Sequence, residues 1–157
     1  MAWLRTRDIK DSQVTEAKLG DGSITNAKLG GRVMHVQKYT YDFAVGGGAI
    51  STLMLTSDTG VAQQLPDNAV LLGATCEVVT PVASLGSAQL KFGYTGSDAY
   101  FLALTGKASF DADGKAVKME AATPTKLTAV KSVLMTIGTA ALTAGKLNVW
   151  VRYYQGD

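Results

Sequence analysis

From Val33 to the C-terminus, large apolar side chains recur at every second position in short runs, and Gly, Asp and Ser separate the runs. A period of two marks strands with one buried face, whereas an amphipathic helix needs a period near 3.6. Tyr39, Tyr41 and Phe43 share one face, with Lys38, Thr40 and Asp42 on the other, before Gly46-Gly47-Gly48 breaks the chain. Ile50 to Thr56 reads as a short apolar strand. Over residues 70–79 the alternation groups Val70, Leu72, Ala74, Cys76 and Val78 on one face. Leu90, Phe92 and Tyr94 form another such set, Tyr100 to Leu104 follows a Gly-Ser-Asp turn, and 127–130 and 133–137 add two strands. The last run sets Leu147, Val149, Val151 and Tyr153 against Asn148, Trp150, Arg152 and Tyr154. No stretch carries the pattern of a three-turn helix, and Ala116 to Ala122 offers one helical turn or a loop. Roughly eight short strands between turn residues define an all-β fold: a β-sandwich, with a jelly roll as its natural closure.

The first 32 residues have a different texture. Residues 11–20 read DSQVTEAKLG and residues 21–30 read DGSITNAKLG, identical at six of ten positions, with Val14 matched by Ile24. In each unit Thr15 or Thr25 is a candidate helix N-cap, one turn follows, and Gly20 or Gly30 stands where a left-handed C-terminal residue is expected. The only large apolar side chains are Val14 with Leu19 and Ile24 with Leu29. They cannot offset the backbone entropy of ordering ten residues, about 1 kcal/mol or more for each. Order in this segment therefore requires a partner. Residues 1–32 are accordingly expected to be a docking arm and residues 33–157 a sandwich domain. Trp3, Leu4, Arg5, Arg7 and Ile9 join the four repeat side chains as candidate docking or oligomer contacts, because Trp and Arg recur at interface hot spots. The alternative for Trp3 is a frayed, exposed end.

Charge and chemistry exclude several classes of function. Fifteen Lys and Arg against thirteen Asp and Glu leave +2 over 157 residues, which is no footprint for a nucleic-acid binder. The arm holds six cations against four anions, so it is only mildly basic. No run of residues is apolar enough to span a bilayer, and Met1 to Asp8 carries no apolar secretory region. One cysteine, Cys76, admits no intrachain disulfide and no Cys-based zinc cluster, which fits synthesis in a reducing compartment. The one histidine, His35, lies at the junction of arm and body, where an exposed or hinge-region imidazole is expected and not a member of a catalytic triad. Cys76 falls among core valines and leucines, as a small hydrophobe does. Asp111-Ala112-Asp113-Gly114 resembles the start of a calcium loop, but Lys115 and Ala122 occupy positions that need oxygen ligands. Gly46-Gly47-Gly48 lacks the Lys-Ser/Thr of a phosphate loop. Catalytic, cofactor-binding and metal-binding residues are therefore all assigned as none.

The segment IKDSQVTEAKLGDGSITNAKLG resembles repeats in tail fibres, head fibres and capsid decoration proteins of tailed bacteriophages. The body is similar to the β-sandwich of phage virion proteins, on the stretches Leu65 to Ala74, Gln89 to Gly93, and Leu142 to Val149 before Tyr153. The resemblance implies a virion structural protein, a homotrimer assembled in the host bacterial cytoplasm and held on the major capsid protein by its N-terminal arm. Two repeats are few for a long tail fibre: 32 residues reach about 110 Å even fully extended. A capsid decoration protein or short head fibre is therefore the expected role. The alternative is a receptor- or glycan-binding fibre tip, with Tyr100, Tyr153 or Tyr154 lining a host-surface glycan site.

Overall fold

The computed structural model describes residues 33–120 and 123–156. In chain order the elements are β1 (Met34–Asp42), α1 (Phe43–Gly46), β2 (Ser51–Met54), β3 (Gln64–Leu65), β4 (Ala69–Ala83), β5 (Gln89–Tyr94), β6 (Ser97–Gly106), β7 (Ala116–Met119), β8 (Thr125–Lys126), β9 (Lys131–Gly138) and β10 (Ala144–Gln155). A 3-10 turn, Lys107–Phe110, follows β6. One sheet has the order β1-β10-β4-β7, with β8 also on β4. The other has the order β2-β9-β5-β6, with β3 also on β9. All pairings are antiparallel. Setting aside the two-residue β3 and β8, every connection except the β5–β6 hairpin crosses from one sheet to the other. That interleaving of two four-stranded sheets is the jelly-roll arrangement.

The core lies between the sheets. Tyr39, Tyr41, Leu71, Cys76, Val78, Leu147, Val149 and Val151 enter from the first sheet, and Leu90, Phe92, Phe101, Val133, Met135 and Ile137 from the second. All are 3% exposed or less, and no polar or charged residue is buried among the described residues. Phe92 and Phe110 meet with ring centroids 6.0 Å apart. Gly93 is required by the β5–β6 hairpin, since a Cβ there would run into the Ser97 carbonyl oxygen.

Four expectations change. Phe43 leaves the strand: the Asp42 carboxylate accepts a hydrogen bond from the Ala44 N–H at 2.9 Å, capping α1 and turning the chain before Phe43 can join Tyr39 and Tyr41. Val70 and Leu72 do not share the inward face of Ala74, Cys76 and Val78. The register between β10 and β4 shifts between Arg152 and Tyr153, where Arg152 faces Gly73 and Tyr153 faces Leu71. Gly73 sits at φ +143°, and this bulge sends Ala69 and Leu71 inward instead. Residues 116–119, read as a helical turn or loop, form β7 against β4. The strand expected at 127–130 is instead the short β8 just before it, with Leu127 buried and Val130 51% exposed.

Phe92→Ala is expected to lose about 3–5 kcal/mol of stability, while Val36→Ala on the exposed face should stay within about 0.5 kcal/mol of the parent. Guanidinium unfolding midpoints of the two variants check this.

Candidate interaction surfaces

The nine arm positions singled out for docking or oligomer contacts, Trp3, Leu4, Arg5, Arg7, Ile9, Val14, Leu19, Ile24 and Leu29, lie outside the described residues.

The residues weighed for chemistry are all engaged in structure. The His35 ring stacks on Tyr153 at 5.2 Å between centroids and 18° between planes, because the two residues stand opposite each other on β1 and β10. Cys76 is fully buried. Burial, with the Glu77 carboxylate beside it, pushes its thiol up to about 12, so no thiolate nucleophile forms near neutral pH. Asp111 does not turn towards a metal position. Lys115 donates to it at 2.9 Å and holds its carboxyl below the usual range. Among the described residues no group of three or more His, Cys, Asp and Glu could hold a metal ion. Gly47 accepts a 2.7 Å hydrogen bond from the Tyr41 hydroxyl, and Gly48 packs on the backbone of Leu142. The three-glycine run thus serves backbone contact.

One pocket of about 220 Å³ opens beside α1, where β1 meets the chain after β2. Tyr41, Leu53 and Leu55 form part of its lining, and Asp42, Asp58 and Lys146 bring charge to it. Those charges are already matched. Lys146 reaches Asp42 at 2.9 Å, and Lys38 reaches Asp58 at 2.7 Å. Both carboxyls are held below the usual range, Asp42 by Lys146 and then the Ala44 N–H, Asp58 by Lys38 and then the Thr40 hydroxyl. A pocket so neutralised suits an apolar side chain better than an ion.

The aromatic candidates separate into two groups. Tyr100 donates its hydroxyl to the Thr123 carbonyl at 2.8 Å and packs edge-on against Tyr94 and Phe101. Its ring is committed to the fold. Trp150 and Tyr154 point away from the core on β10 and are 36% and 37% exposed, with the Lys38 ammonium 5.4 Å from the Trp150 ring centre. Alternation had already placed Trp150, Arg152 and Tyr154 on one face. It had not joined to them Met34 and Val36, which are half exposed on the neighbouring β1. The alternation of Met34, Val36 and Lys38 with His35, Gln37 and Tyr39 was the available signal.

At the other end of the sandwich the loops interlock. Ser84 Oγ donates to the Ala141 carbonyl at 2.6 Å, the Leu142 N–H to Gly48 at 2.8 Å, and Lys107 Nζ to Ser84 at 2.6 Å. Leu85 stands out of this framework, 99% exposed.

The described residues form a jelly-roll sandwich, two antiparallel sheets around one core. No protein-family model matches the chain, and no curated protein matches it. Solved structures do. A chain in the acidic stable capsid structure of Helicobacter pylori bacteriophage KHP30 superposes with a TM-score of 0.57 at 20% identity, covering 80% of this chain and 90% of that one. A chain of the cyanophage Pam1 capsid asymmetric unit gives 0.57 at 19% identity, covering 77% and 84%. A chain of the capsid of Ralstonia phage GP4 gives 0.50 at 17% identity, covering 78% and 85%. At these identities the likeness is one of fold.

The Cys76 thiol titrates near 8.5 when unfolded and at about 12 when folded. Its contribution to stability should be complete below about pH 8.5 and fade as pH rises towards 12. Native protein at pH 8 is expected to resist a thiol-reactive dye that labels the denatured chain, and the Cys76→Ser variant should lose part of the alkaline fall in unfolding midpoint.

Proposed function

We propose that this chain is a virion structural protein, a jelly-roll module that decorates a phage capsid and is attached through residues 1–32. The observation that carries the proposal is the shared fold: three phage capsid structures contain chains that match most of this one. The tandem repeat at 11–30 supports attachment, because its side chains are too few to order the segment without a partner. The major capsid protein is the natural partner for such an arm, and three copies side by side could bury Val14, Leu19, Ile24 and Leu29 around an axis. Decoration or a short head fibre fits two repeats better than a long tail fibre does. Assembly in the bacterial cytoplasm fits a chain with one unpaired cysteine. A non-enzymatic role agrees with His35 stacked on Tyr153 and Cys76 sealed in the core. A glycan site at Tyr100 gains no support, since its hydroxyl and ring are already used.

Deleting residues 1–32 is expected to leave a cooperatively folding β domain that no longer co-sediments with capsid shells. Retention of shell binding by the deleted chain would reject attachment through the arm. Light scattering of the full chain should give three times the monomer mass if the arms assemble as a trimer.

A further inference from the structure

The outer face of the first sheet is apolar at the end where β1 begins. Met34 and Val36 are 50% and 52% exposed, and Trp150 and Tyr154 on the adjacent strand 36% and 37%. The four belong to one patch: Met34 stands opposite Tyr154, and Val36 opposite Arg152, which lies between the two rings along β10. Scattered single hydrophobics are normal on a surface, but a contiguous group on one sheet face marks an interaction site.

Arg152 adds a second, independent observation. It lies over Gly73, whose φ of +143° calls for glycine, with its Nη2 at ordinary contact distance from where a Cβ would stand. Its Nε is buried without a hydrogen-bond partner. Lys38, Lys118 and Lys146 on the same face hold carboxylates at 2.7, 2.8 and 2.9 Å. Arg152 holds none among the described residues. The sandwich does not offset the cost of that buried Nε, and the part-exposed remainder of the guanidinium is open to an acceptor. Flanked by Trp and Tyr, it has the composition of an interface hot spot.

We infer that this end of the sheet is a second contact surface, built for a protein surface that sets a carboxylate among apolar side chains. The carboxylate pairs with the fork of Arg152, and the apolar surround covers Val36 and Tyr154. A second copy related by a two-fold axis fits poorly, because the axis would set one Arg152 against the other. The tether points to the occupant. β1 starts at Met34 in the patch itself, so on the capsid reading the attachment segment leaves the domain at this face. The inference rests on the capsid reading to this extent: the occupant is the capsid shell.

The full-length chain can be added to shells stripped of it, with binding read by co-sedimentation beside thermal melts and sedimentation velocity. Arg152→Glu is expected to weaken shell binding by about tenfold or more, and Val36→Ser with Tyr154→Ser to do likewise, with melting temperatures close to the parent's. If neither variant alters affinity while deletion of residues 1–32 abolishes it, the inference fails and the arm alone attaches. If both variants lose binding and the deletion keeps it, the face is the attachment site and the arm reading fails. A changed oligomeric state with shell binding intact would reassign the patch to contacts between copies and overturn the inference. A parent chain that ignores the shells would remove both.

Discussion

The pairing of β10 with β4 is the constraint on which the other elements depend. β10 lies between β1 and β4, and its inward Leu147, Val149 and Val151 face Val78, Cys76 and Ala74 across the ladder. One residue of slip would turn Asn148, Trp150 and Arg152 into the core, so burial on one side locks the register. The same register decides which side chains the outer face displays. A core of Val, Leu and Cys on one face and a display of Trp, Arg and Tyr on the other are a single decision taken twice along the strand.

The bulge at Gly73 modifies that decision locally. An extra residue on β4 lets Leu71 and Ala69 enter the core near Tyr153 while Val70 stays beside Tyr154 on the outside. Without it, the start of β4 would keep Leu72 and Val70 inward and expose Leu71. The Arg152 side chain lies across this bulge on the outer face. One backbone irregularity therefore adjusts both the packing inside and the chemistry outside, as bulges tend to do where a surface has work beyond solvation.

Much of the fold was legible because alternation reports burial directly. β5, β9 and β10 fall where the runs of Leu90 to Tyr94, Val133 to Ile137 and Leu147 to Tyr154 place them. The sandwich follows from their number and turns. What alternation missed has physical causes. Phe43 looks like a third inward aromatic until the Asp42 cap bends the chain. Val117 and Met119 make too short a run to outweigh their helix-forming neighbours, and only pairing with β4 makes them a strand. Val70 and Leu72 mislead because a bulge leaves no mark in period-two counting except a glycine. Of the surface, Trp150, Arg152 and Tyr154 could be grouped from sequence. Their union with Met34 and Val36 required the β1–β10 register, which lies in long-range pairing and not in local pattern. The unmatched state of Arg152 was likewise invisible, since it depends on which carboxylates other lysines have already taken.

The pairing of Met34 with Tyr154 has an engineering consequence. The domain's first and last strands run side by side, so a passenger joined after Gln155 would emerge next to the point where residue 33 enters, crowding the end of the sandwich that the leader segment is tethered to. The loop that carries Leu85 is at the far end, hydrogen-bonded through Ser84 to Ala141 and Lys107. A peptide spliced there would stand at the end of the sandwich opposite Met34 and Gln155, which makes that loop the better graft point for surface display.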